Sequence, residues 1–161
     1  MKTNNSNGRR KKLDHIDYKM IRLLQKDGRI SNTEIAKRVD ISEATVRSRL
    51  NRLIKEKFIQ IVAVSDPLML GFGIVGNIRI HVDIKKMDNI IRELRKIKAL
   101  WFIVQSTGGT GIESEFVVKS LTELNDLIFE QINKIDGILK TETALYLKFI
   151  KRQYDWGTAL D

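Results

Sequence analysis

Between residues 42 and 52, Ser42, Glu43, Ala44, Thr45, Arg47, Ser48, Asn51 and Arg52 bring together side chains suited to duplex DNA. An arginine guanidinium can grip guanine or a phosphate through two parallel N–H donors, and an asparagine amide can pair with adenine. The small Ala44, Thr45 and Ser48 would let a helix approach closely. Ser42 and, upstream, Thr33 stand near expected helix starts, where free backbone N–H groups favour phosphate. A second cluster lies in the segment STGGTGIESE, residues 106–115, with Thr107, Gly108, Gly109, Thr110, Gly111 and Glu113. Bare glycine backbone offers N–H donors to a carboxylate, and a nearby acid can hold an ammonium, which together suit an amino acid. The same ten residues also read as a flexible hairpin turn.

Other chemistry is absent from the pattern. With no cysteine there is no disulfide framework, no thiolate metal site and no thiol nucleophile, which fits a reducing compartment. No Ser/His/Asp set, phosphate loop or dinucleotide fingerprint occurs, so neither an enzyme nor a cofactor is expected. His15 and His81 each lack a second metal ligand at suitable spacing. Asp14 and Asp17 lie three apart, and N-terminal capping of a helix explains them better than acid–base work. Trp101, Phe102, Tyr154 and Trp156 could stack on bases, but they fall in the charge-neutral part of the chain, where packing is the default. The opening MKTNNSNGRRKK is polar and basic, and no window approaches the ~18 apolar residues of a membrane span, so a cytoplasmic protein without membrane contact is expected.

Charge is distributed unevenly over the 161 residues. Residues 1–60 carry 16 Lys and Arg against 7 Asp and Glu, a net of +9, whereas residues 61–161 carry 13 of each. The N-terminal third therefore meets a polyanion or presents a solvated basic face, and the rest does something else.

The elements that must hold the first cluster follow from periodicity. Leu13, Ile16, Met20, Leu23 and Leu24 recur at helical spacing, and Gly28 offers a left-handed stop. Ser31 with Glu34 is a capping pair for a short helix whose apolar stripe is Ile35, Ala36 and Val39. After Asp40-Ile41-Ser42 a third helix runs from Glu43 to about Lys55, with Val46, Leu50 and Leu53 inward. At 100° per residue, Ala44, Ser48, Asn51 and Lys55 then face outward, with Thr45, Arg47 and Arg52 on the flanks. A short helix, a tight turn and a longer basic helix is the arrangement that lets the last helix enter a major groove. An ordinary solvated helix with an arginine-rich surface has the same composition.

The run LDHIDYKMIRLLQKDGRISNTEIAKRVDISEATVRSRLNRLIKEKFIQ resembles the DNA-binding half of the Lrp/AsnC, or feast/famine, transcription factors. The resemblance is carried by Leu13-Asp14 and Asp17, Asp27-Gly28-Arg29, Ser31 to Ala36, Ser42, Val46-Arg47, Arg49-Leu50, Leu53 and Ile59. It implies a winged-helix-like helix-turn-helix domain followed by a ferredoxin-like βαββαβ module that dimerises, assembles further and senses amino acids. It also implies that the glycine-rich loop lines an effector pocket, although here the family's usual Gly followed shortly by Asp is replaced, and Glu113 is the first acid. Thr141 and Thr143 match a family Thr-x-Thr pattern, and β-propensity alone would also place them there.

Read independently, the C-terminal half gives the same order. Residues 61–73 read as a strand and linker around Pro67, Gly71 and Gly73. Ile78, Ile80, Val82 and Ile84 alternate as a strand, and Ile90, Ile91, Leu94 and Ile97 mark a helix. Residues 101–107 and 115–119 form a hairpin, Leu121 to Ile135 a second helix ended by Gly137, and Ile138 to Phe149 a last strand. Two helices on one face leave the other face needing a partner, and Ile, Leu, Phe and Tyr on both sides of the strands would supply it.

The expected α+β protein thus comprises a basic arm (1–12), a helix-turn-helix domain (13–60), a linker strand (61–73), a ferredoxin-like dimerisation and effector domain (74–150) and a tail (151–161). It is expected to bind double-stranded DNA sequence-specifically as a homodimer, tetramer or octamer, modulated by an amino acid or related small molecule. The alternatives are an effector-independent architectural DNA binder and a small-molecule module whose basic helices bind RNA.

Overall fold

A computed structural model describes residues 12–107 and 111–152, which fall into two compact units, one up to Ala63 together with Lys151 and Arg152, the other Val64–Ile150. Arm residues 1–11 and tail residues 153–161 lie outside the described residues.

The N-terminal unit contains α1 (His15–Lys26), α2 (Asn32–Val39) and α3 (Glu43–Lys55). Each begins at a side-chain cap. The Asp14 carboxylate accepts the Asp17 N–H at 2.9 Å while the Asp17 carboxylate accepts the Asp14 N–H at 3.0 Å, a reciprocal capping box. Ser31 Oγ accepts from Glu34 N–H and Ser42 Oγ from Thr45 N–H, both at 3.1 Å. The α1 stop differs from expectation: Gly28 is not left-handed. The chain leaves the helix at an extended Asp27, whose carboxylate accepts the Arg29 N–H at 2.8 Å. The left-handed residue is instead Asp40, which ends α2 and turns the chain into α3 within three residues. Met20, Ile35, Val46 and Leu53 are fully buried at the centre of the three helices, and Leu50 packs partly against them.

The expected strand within 61–73 does not form. Among the described residues no strand pairs with this segment; Ile61, Val62 and Val64 are exposed, and residues 67–71 turn.

The C-terminal unit has β1 (Ile74–Val82), α4 (Met87–Leu94), β2 (Leu100–Gln105), β3 (Gly111–Val118), α5 (Leu121–Asn125) and β4 (Ile138–Leu145). The helix expected to run from Leu121 to Ile135 changes character, because Asp126–Ile132 continue α5 as a π-helix. All strand pairs are antiparallel in the order β2-β3-β1-β4, the split βαβ arrangement of a ferredoxin-like sheet. Ile78, Ile80, Ile112 and Phe116 share the face that packs with Ile90, Leu94, Leu127 and Ile132 of the helices. Gly76 is required there. A Cβ would strike the Ala144 carbonyl oxygen and lie 2.8 Å from the Phe116 ring, so only glycine lets that ring cross β1.

The outer face of the sheet is more polar than expected. Alternation places Arg79 between Glu113 on β3 and Glu142 on β4, with His81 and Lys140 one row on. Glu142 accepts from Lys140 Nζ at 2.6 Å, and His81 Nε2 stands 3.4 Å from the same carboxylate. Exposed apolar side chains of the strands lie on the β2 edge, at Trp101, Phe102 and Val104, and on β4, at Leu139 and Leu145. Trp101 occupies a register shift, and the buried Ser114 hydroxyl donates to the Phe102 carbonyl at 2.6 Å beside it.

Candidate nucleic-acid interface

The α3 surface is built by burying one stripe and leaving the other bare. Val46 and Leu53 have no solvent exposure, whereas Ala44, Thr45, Ser48, Asn51 and Lys55 all face solvent. Of the expected DNA contacts, three are linked at the start of α3: the Thr33 hydroxyl donates to Glu43 Oε2 at 2.9 Å, and Arg47 Nη2 donates to Glu43 Oε1 at 3.0 Å. The Arg47 pair is solvent-exposed, so it holds the guanidinium weakly. Ser42 and Thr45 share a hydroxyl hydrogen bond at 2.8 Å besides the cap.

Arg52 keeps its expected flanking position but is paired there. Instead of flanking the open face freely, its Nη2 donates to Asp17 Oδ2 at 2.5 Å. Arg49 joins it, its Nη1 donating to Asp17 Oδ1 at 3.0 Å and to Asp14 Oδ2 at 2.6 Å. The Asp17 side chain is 1% exposed, against 28% for Arg49, 32% for Arg52 and 47% for Asp14. Two acids at the start of α1 therefore clamp two arginines one turn apart on α3. Together with Ala44, Thr45 and Ser48, Asp14, Arg49 and Arg52 line an open depression on the surface.

The clamp tunes its own ionisation. The Asp14 carboxyl is lowered to about 2, first by the Asp17 backbone N–H and then by Arg49. Burial pushes Asp17 up, but hydrogen bonds from Arg52, the Asp14 N–H and Arg49 outweigh it, and the net direction is down. Hydrogen bonds to these carboxylates raise Arg49 and Arg52 above the ordinary arginine range. Sequence reasoning recognised the aspartates as caps and missed their second task, along with the role of Arg49. The available signal was matched spacing: Asp-x-x-Asp on one helix and Arg-x-x-Arg on another.

The second cluster is only partly brought together. Thr107 is exposed in a bend two residues beyond β2, while Gly108, Gly109 and Thr110 lie outside the described residues. Gly111 and Glu113, expected in a loop, belong to β3, which starts four residues earlier than the sequence suggested. Gly111 has φ +91, and Glu113 faces outward beside Arg79 rather than into the hairpin turn. No group of three or more metal-ligating side chains occurs among the described residues, and none of their helices is long and apolar enough to cross a membrane.

Comparison with known proteins matches both units. Residues 13–60 match the winged helix-turn-helix DNA-binding family, and residues 77–156 match the Lrp/AsnC ligand binding domain. An uncharacterized HTH-type transcriptional regulator of Pyrococcus horikoshii is 40% identical over 152 residues, spanning 94% of each chain. The regulator FL11 of Pyrococcus furiosus is 32% identical, covering 86% of this chain and 92% of its own. Among solved structures, AsnC of E. coli superposes with a TM-score of 0.80 at 22% identity over 89% of this chain and 99% of its own. A Neisseria meningitidis transcriptional regulator in complex with L-Met superposes at 0.81 and 22% identity, over 89% of this chain and 96% of its own. A DNA-binding helix-turn-helix and a ligand-binding module in this order, with such identity along nearly the whole chain, make the protein a member of the Lrp/AsnC family of DNA-binding transcriptional regulators.

Proposed function

We propose that the exposed flank of α3 enters the major groove, with Ser48 and Asn51 at base edges and Ala44 and Thr45 allowing close approach. The observation that carries this reading is the bare small-residue flank lying opposite the fully buried Val46 and Leu53. Arg47, released from its exposed pair with Glu43, reaches guanine or a phosphate, and the Ser42 and Thr33 helix starts approach the backbone. Arg52, taken up by Asp17, braces the helix from the side. Replacing Arg47 by Ala weakens duplex binding by about 1–3 kcal/mol and leaves assembly intact; unchanged gel shifts refute the assignment.

The protein acts as a homodimer or a tetramer or octamer built from it, so that two α3 helices engage half-sites about one turn apart. The exposed Trp101, Phe102 and Val104 support a protein contact through the C-terminal unit. A small molecule of the amino-acid class binds that unit and favours one assembly geometry, shifting DNA engagement by linkage. The ligand-binding family match supports this, as does the L-Met held by the Neisseria meningitidis relative. Sedimentation of the full chain tests the assembly, and thermal unfolding with a panel of amino acids tests the ligand. A monomer, or a midpoint unmoved by every amino acid, sinks the corresponding part.

A further inference from the structure

Asp14 puts an acid at the rim of the surface proposed to meet DNA, where it repels phosphate. It lines the same depression as Ala44, Thr45 and Ser48, and nearly half of its side chain is open to solvent. Capping α1 needs only its Oδ1, and a neutral Asn or Ser performs that task comparably. What the charge adds is the grip of Oδ2 on Arg49 at 2.6 Å. Asp17 is divided, its two oxygens shared between Arg49, Arg52 and the Asp14 N–H, so it neutralises only one of the two guanidiniums. The four charges of the cluster cancel, and Glu43 offsets Arg47 across the helix.

We infer that Asp14 is a specificity-determining residue: its carboxylate neutralises Arg49 and repels phosphate at the rim of the α3 face, suppressing sequence-independent DNA binding. Discrimination is thereby left to the base-edge contacts of the exposed α3 side chains, an inference that rests on the docking of α3 proposed above. Sequence-independent binding is almost wholly electrostatic, and each phosphate neutralised steepens the fall of log affinity with log salt by about 0.9. A guanidinium already paired with a carboxylate displaces few counterions from DNA. Removing the Asp14 charge while keeping the cap leaves Asp17 as the one carboxylate shared by Arg49 and Arg52, so the cluster regains one net positive charge for the duplex.

The test uses the full chain with Asp14→Asn and Asp14→Ser, two neutral caps, so that one poorly folded variant does not end the experiment. Binding to a mixed-sequence duplex of about 40 bp is followed by fluorescence anisotropy between roughly 50 and 300 mM KCl. A second duplex, enriched by the wild type from genomic fragments, gives the specificity ratio. Both variants bind the mixed sequence more tightly, the salt slope steepens by about 0.9, and that one contact is worth about eightfold at 0.1 M relative to 1 M salt. The specificity ratio falls. A merely structural Asp14 would weaken binding to both duplexes, and that result, or an unchanged mixed-sequence affinity and slope, overturns the inference. Arg47→Ala runs in parallel: if it weakens binding while the Asp14 variants do nothing, the inference alone fails. If all three are without effect, the docking of α3 fails with it.

Discussion

Asp17→Asn is the most informative perturbation of the N-terminal unit, because it removes one charge and almost no volume. The carboxylate accepts from Arg49 at 3.0 Å, from Arg52 at 2.5 Å and from the Asp14 N–H at 3.0 Å. Two charge-assisted bonds at ~1.5–3 kcal/mol each and an amide bond at ~1 kcal/mol give a gross loss of about 4–7 kcal/mol. The guanidiniums are about one-third exposed, so water recovers much of the charged part, and the retained amide oxygen keeps one acceptor. A net loss of about 2–3 kcal/mol remains, which for a unit this small lowers its unfolding midpoint by roughly 10–20 °C. Far-UV circular dichroism of the full chain at neutral pH reads the helical transition, and a cycle with Arg52→Met isolates the pair. A loss under about 0.5 kcal/mol, or no coupling in the cycle, would mean that the clamp holds nothing and that α3 is positioned by apolar packing alone.

Acid acts on the same clamp. Both aspartates are depressed in the folded state, so their stabilisation is complete above the unfolded value of 3.8 and is lost as pH falls toward about 2 for Asp14. The N-terminal unit should therefore lose stability between about pH 5 and 2, with Asp14 contributing only ~1 kcal/mol after solvent screening; a midpoint flat over that range contradicts the assignment. Gly76→Ala forces the Phe116 ring or β4 to move and should cost the C-terminal unit about 2 kcal/mol or more, read as an earlier melt of the sheet signal. Ser42→Ala removes the α3 cap and should cost ~1 kcal/mol together with weaker DNA binding, seen by combining thermal unfolding with gel shifts. Affinity of the wild type for duplex DNA should drop by orders of magnitude from roughly 50 to 200 mM salt if several phosphates are contacted, and a shallow response in anisotropy titrations would count against the basic unit.

Much of this architecture is readable one residue at a time. Caps at Asp14, Ser31 and Ser42 are local, since each acceptor meets an N–H three residues on, and a sequence displays that spacing directly. Helical and strand periods likewise identified Met20, Val46, Leu53, Ile78 and Ile80 as inward-facing, because burial repeats with the geometry of the element. Errors arose where a neighbour remote in sequence decided the outcome. Glu113 reads as loop because glycines and Ser114 mask the alternation, yet pairing with Arg79 on β1 draws that stretch into the sheet. The outer face was expected to be apolar, and only strand order revealed that Arg79, Glu113 and Glu142 stand side by side. Arg52 looked like a free cation because Asp17 lies 35 residues away along the chain.

The amino-acid sequence alone thus settled the three N-terminal helices with their buried stripes, the order of strands and helices after residue 74, and that the positive charge belongs to the first sixty residues. Those properties depend on contacts spanning a few residues and on composition. Tertiary structure alone decided which arginines of α3 remain available and which are neutralised, and which acids share a face with which bases. The physical reason is that an ion pair or a sheet register is set by distance in space, to which separation along the chain is no guide.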